Sequence, residues 1–89
     1  NQNKLYDVIK NGAAGSWQFS NRYMTLIKNK FNFGFSTELM EKDLRYVLKQ
    51  SKKSKLNLKL TKEVHQKYKK LINTKYRIQD TSSLVKTFI

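Results

Sequence analysis

Cysteine is absent from the 89 residues, which removes disulfides, thiolate metal sites and thiol nucleophiles together. Histidine occurs once, at His65, so no histidine-based metal cluster is available and no metal is expected. Proline, internal repeats and low-complexity linkers are missing as well. No apolar stretch approaches a membrane span, and the opening "NQNKLYDVIK" lacks the apolar run of a signal peptide. These absences lead to the expectation of a soluble, cytoplasmic domain, or a mitochondrial-matrix one in a eukaryote. The length accommodates one domain, residues 1–89, and burial of only roughly 60–65% of the unfolded surface.

Acidic residues are also scarce. Six carboxylates face 19 cations, giving a formal charge of +13. Such a balance ordinarily points to a polyanion, and a basic helical nucleic-acid-binding module is one reading of it. The excess, however, is 16 Lys against 3 Arg, together with 8 Asn. Base-reading and bidentate phosphate contacts favour the planar fork of arginine. Lysine and asparagine have AT-rich codons, so a low-GC genome inflates both without any ligand. The densest run, "KQSKKSK" at 49–55, fits a solvated helix end whose cations complement the dipole.

What is present is helical periodicity, almost throughout. Leu5, Val8 and Ile9 mark a short first helix closed by the "NGAAG" turn at 11–15. Ser16 is a fitting N-cap for a second helix, in which Phe19, Tyr23, Leu26 and Ile27 recur on one face. A loop with three phenylalanines around one glycine, "NKFNFGF", spans 29–35. Ser36 or Thr37 then caps the longest helix, ending near 52–55. "LNLKLT" at 56–61 alternates apolar and polar residues and reads as an extended connection. Thr61 caps a fourth helix carrying Val64, Tyr68, Leu71 and Ile72, with His65 as a half-buried packing residue. Asp80 caps a short last helix with Leu84, Val85, Phe88 and Ile89. The fold class expected is all-α, a compact bundle of about five helices.

The third helix poses a problem of its own. At about 100° per residue, Leu39, Met40, Leu44, Val47 and Leu48 form one apolar stripe. Asp43 falls inside it, where it must offset its desolvation with hydrogen bonds or a cation. Lys42 points away from it.

"LYDVIKNGAAGSW", "FNFGFSTELMEKDLRYVL", "LKLTKEVHQKYKKL" and "DTSSLVKTFI" together resemble the C-terminal domain of the β-hydroxyacid dehydrogenases. That family includes 3-hydroxyisobutyrate dehydrogenase, tartronate semialdehyde reductase and glyoxylate reductase, and is related to 6-phosphogluconate dehydrogenase. The "GF…LMxKDL" block, Gly34 to Leu44, is the most specific element. One departure is Lys59, in a connection that often carries a proline.

The resemblance implies an enzyme of two parts: an N-terminal Rossmann domain holding NAD or NADP, and an all-α domain closing over it. The general acid/base lysine of the family lies on a helix between them, and no Gly-rich phosphate fingerprint occurs here. No catalytic residue is therefore expected within these 89 residues. Two further features fit a fragment. The chain opens inside a helical pattern, and its last apolar residues run to the terminus, leaving surface that favours self-association as a homo-oligomer.

Carried over residue by residue, the resemblance puts Lys42 at the nicotinamide end of the cofactor. Asp43 becomes an orienting residue, and Phe35 and Trp17 become walls of the substrate pocket. The structural alternatives are a surface lysine, a helix-rim aspartate and two core aromatics. The function implied is oxidation of a small β-hydroxy acid, or reduction of its semialdehyde. The purified 89 residues alone are expected to show no dehydrogenase turnover with NAD or NADP. Measurable turnover overturns that division of labour, whereas tight duplex-DNA binding with a steep salt dependence supports the nucleic-acid reading.

Overall fold

The computed structural model describes residues 1–89. It holds four α-helices, α1 (Gln2–Lys10), α2 (Trp17–Ile27), α3 (Thr37–Lys53) and α4 (Lys59–Leu71). Two 3₁₀ helices follow at Lys75–Ile78 and Thr81–Thr87. The all-α class is as expected. The chain divides into two compact units, Asn1–Lys30 and Phe31–Ile89.

The first unit is a helical hairpin. Asn1 Oδ1 accepts from Asn3 N and Lys4 N and so caps α1, while Ser16 Oγ accepts from Phe19 N and caps α2. Between them Gly15 is required by close approach, since a Cβ there would sit 2.4 Å from the Lys10 carbonyl oxygen. The stripe expected on α2 meets Tyr6 of α1. Tyr6, Phe19 and Tyr23 form a ring trio with centroids 4.9–5.8 Å apart, and Tyr6 OH donates to Ser20 O at 2.7 Å. α2 then ends on Asn29 at φ 57°, with Lys30 N donating to Thr25 O.

In the second unit α3 packs on α4, and both pack on the 3₁₀ helices. The inward face of α3 is Thr37, Glu41, Leu44, Leu48 and Ser51, at spacings of four, three, four and three. From α4 come His65, Tyr68 and Leu71, and Phe31 completes the buried apolar set. The expected placement of Asp43 is therefore corrected. Asp43 is exposed, as are Leu39 (41%) and Val47 (47%), and the carboxylate at the core is Glu41. A mostly polar inner face beside an exposed apolar row misleads a wheel that looks for a single apolar stripe.

Glu41 is satisfied where it lies. His65 Nε2 stands 2.8 Å from its Oε2 and Arg45 Nε donates to the same oxygen at 3.2 Å. Burial alone would raise the carboxyl pKa. The hydrogen bonds from His65 and Arg45, with their charges, outweigh it and hold Glu41 below its ordinary value. His65 is thus a buried bridge between α3 and α4, beyond the packing role expected of it.

Helix boundaries hold one more correction. α4 begins at Lys59, with Leu58 in the cap position and no side-chain cap, so Thr61 lies inside the first turn. Only residues 56–58 of the expected extended connection are non-helical. α3 closes through Lys55 at φ 57°, with Leu56 N donating to Ser51 O. Ser36 precedes α3 as expected, but its hydroxyl donates to Arg77 O at 3.2 Å and leaves the helix N-terminus uncapped by a side chain.

Asp80 holds the two ends of this unit together. It is 1% exposed. Its carboxylate accepts from Ser82 N and Ser82 Oγ, capping the last 3₁₀ helix, and from Phe35 N at 3.1 Å. Backbone pairing reinforces the contact: Asp80 N donates to Phe31 O, Thr81 N to Phe35 O and Thr37 N to Gln79 O. Thr37 Oγ1 lies within hydrogen-bonding distance of Gln79 O, Asp80 O and Ser83 Oγ. Tyr68 OH donates to Thr81 O at 2.9 Å, and burial with the nearby Asp80 charge pushes its pKa up to about 12.

Two outcomes follow for stability. Asp80→Ala strands the amides of Phe35 and Ser82 and is expected to cost about 3 kcal/mol in urea unfolding; a loss below about 0.5 kcal/mol contradicts the pinning role. Glu41, with its folded pKa depressed, contributes stability above its unfolded value of about 4.3 that is lost as pH falls through the folded one. Between about pH 5 and 3, Glu41→Gln is expected to show a shallower fall in urea midpoint than the parent. Parallel curves would remove Glu41 from that dependence.

Candidate functional site on the outer face of the third helix

The outer face of α3 carries what the inner face does not use. Leu39, Asp43 and Val47 follow one another at four-residue intervals, forming a row along the helix. Beside it run Lys42, Tyr46 and Lys49, and every member of both rows is exposed. About 7.5 Å along the axis separates the first helical residue, Thr37, from Lys42. Lys42 has no carboxylate within ion-pair distance, in contrast to Arg45 and Arg77, which engage Glu41 and Glu38. An exposed, unpaired ammonium group is available to an anionic ligand.

At the head of the same helix, Gly34 takes φ 73°, a left-handed turn that glycine adopts without strain. The turn delivers Phe35, 44% exposed, with its backbone locked on both sides by Asp80 Oδ1 and Thr81 N. Phe33 is also exposed. The aromatic ring at 35 therefore stands on a rigid support although it lies outside the helix.

Of the four residues singled out from the sequence, the structure brings Phe35, Lys42 and Asp43 onto one segment. Trp17 belongs to the other compact unit, at the start of α2, 65% exposed with the Arg22 guanidinium 5.0 Å from its ring. Neither Phe35 nor Trp17 is a core anchor. Sequence reasoning missed the support beneath the face. Asp80 was legible as a helix cap, but its reach to Phe35, 45 residues away, was not. The Glu41–Arg45 pair at i, i+4 was the available signal for the buried carboxylate.

No three His, Asp or Glu side chains converge to hold a metal ion, and no helix is long and apolar enough to cross a membrane. The outer face offers the ammonium groups of Lys42 and Lys49, the Tyr46 hydroxyl and the Asp43 carboxylate beside the apolar Leu39 and Val47, a set suited to a small organic anion.

Comparison with known proteins fixes the class. The chain belongs to the family described as NAD-binding of NADP-dependent 3-hydroxyisobutyrate dehydrogenase, whose family model matches residues 1–88. Among relatives, it is 38% identical over 82 residues to an uncharacterised oxidoreductase of Shewanella frigidimarina, covering 92% of this chain. It is 32% identical over 84 residues to L-threonate dehydrogenase of Cupriavidus necator, covering 94% of this chain. A crystal structure of 3-hydroxyisobutyrate dehydrogenase from Salmonella typhimurium superposes on 98% of the chain with a TM-score of 0.85 and 25% identity. The chain spans 28% of the length of both curated relatives and 30% of that solved structure.

Proposed function

We propose that this chain is the C-terminal, cleft-closing domain of an NAD(P)-dependent dehydrogenase acting on a small β-hydroxy acid or its semialdehyde, and that it is inactive by itself. A Rossmann domain and the helix bearing the general acid/base lysine would come from the remainder of the enzyme, which would work as a homo-oligomer. The names of the relatives support the substrate class: 3-hydroxyisobutyrate and L-threonate are both carboxylates with a hydroxyl on the β carbon. No match supports a nucleic-acid-binding module.

The observation that carries this reading is the exposed apolar row of α3. The inner face is covered by α4, while Leu39, Tyr46 and Val47, beside Lys42 and Asp43, remain 41–58% exposed. Exposed apolar rows of this kind mark a surface completed by something else. A cleft closed on this face would exclude water from the reacting centre.

Within such a cleft the bound nicotinamide accepts or returns the hydride of the substrate C–H bond. The chain's own residues would do the rest. Lys42 would hold the substrate carboxylate or the oxygen that gains negative charge as the hydride moves, and it would do so without its own counter-ion to displace. Asp43, one residue on, would orient a substrate hydroxyl. Phe35, stiffened by Asp80, would form a dry wall.

In the intact enzyme Lys42→Ala is expected to lower kcat/KM by about a hundredfold while leaving the thermal midpoint within about 1 °C, because the side chain is exposed and in no ion pair within its own unit. Lys42→Arg should recover part of the loss. Unchanged kinetics in Lys42→Ala would return the residue to the general surface and sink the proposed role.

A further inference from the structure

A second concave surface lies elsewhere in the Phe31–Ile89 unit. A hollow of about 280 Å³ opens between α4 and the two 3₁₀ helices, with Lys67, Lys70, Leu71, Thr74, Tyr76 and Lys86 in its lining. Three cations share it, and no carboxylate does. None of the three enters an ion pair. Two are held in place by rings: Lys67 Nζ lies 4.2 Å from the centroid of Phe88, and Lys86 Nζ 5.8 Å from that of Phe31. Their stems are half-buried, so they do not simply swing apart into solvent.

The rest of the lining restricts what can enter. Leu71 is buried at the floor, and Tyr76 meets Phe31 edge-on with centroids 5.9 Å apart, giving an apolar wall. Thr74 Oγ1 gives its proton to Leu71 O at 2.6 Å and accepts from Tyr76 N, so it offers no free donor. Besides the Tyr76 hydroxyl, the donors left are ammonium groups, and they call for a concentrated negative charge. The volume is slightly below the roughly 300 Å³ at which ligand pockets for larger molecules begin, which suits one ring and excludes a dinucleotide.

We propose that this hollow binds a small phosphate monoester bearing one ring or a short apolar body. The phosphate dianion sits among Lys67, Lys70 and Lys86, and the body lies against Leu71 and Tyr76. The site uses none of the residues assigned to the cleft and stands whether or not the dehydrogenase reading does.

The test is an amide chemical-shift titration of the chain with phenyl phosphate at about 0.15 M salt, with inorganic phosphate and benzyl alcohol as separate arms. Expected are saturable shifts confined to residues 67–76 and 84–88, and affinity at least about tenfold above either control. K67Q/K86Q should weaken binding by about tenfold, whereas K52Q/K53Q at the end of α3 should leave it unchanged. Should K67Q/K86Q fail to fold by circular dichroism, K70Q at an exposed position carries the same expectation with a loss of about threefold. Shifts spread over all the lysines, equal weakening by K52Q/K53Q, unchanged affinity in the lysine variants, or inorganic phosphate binding as tightly as the ester would each overturn the assignment.

Discussion

A single buried carboxylate, that of Asp80, ties the head of α3 to the tail of the chain. Its two oxygens serve three donors, on Phe35 and Ser82, and its own backbone joins a short antiparallel pairing across to Phe31 and Ser36. The loop it secures, Phe31 to Ser36, contains no regular structure and would otherwise carry several unpaired backbone groups. Because that loop sets where α3 begins, it also sets the rotation of the helix. The positions of Glu41 on one face and Lys42 on the other both depend on it.

α3 shows how one helix can serve two surfaces. Its inward residues, Thr37, Glu41, Leu44, Leu48 and Ser51, are mostly polar or only half-buried, and they work through hydrogen bonds as much as through apolar contact. Its outward residues include Leu39, Tyr46 and Val47. A small basic domain that leaves its greasier side uncovered, while burying Glu41 and His65 beneath an exposed Arg45, gains little apolar burial from its own core. That composition is what a lobe of a larger enzyme requires, and the family relationship agrees with it.

Much of the architecture could be read from the chain, and the failures have identifiable causes. Asn1 was not seen as a cap, Ser16 and Asp80 were, and in each case the physics is a side-chain oxygen accepting from an amide two or three residues on. Thr61 failed because α4 starts earlier with no side-chain cap, so the rule had nothing to detect. Asp43 was placed in the core because amphipathicity analysis assumes one apolar stripe per helix, and here polar residues line the inner one. The 3₁₀ helix at Lys75–Ile78 was missed because four residues carry too little periodicity to register. The candidates Phe35 and Lys42 were legible through motif resemblance alone; charge and spacing would have left Lys42 one among sixteen lysines.

The bond between Phe35 and Asp80 closes a loop of 45 residues, which costs about 3 kcal/mol of chain entropy before any contact inside the loop repays it. On the ribosome, this has a consequence in time. The hairpin of residues 1–30 pairs two helices that are adjacent in sequence and can form as soon as it emerges. The turn bearing Phe35 must wait unfastened until residues 79–83 leave the exit tunnel, so the segment with the most exposed phenylalanines is also among the last to be secured.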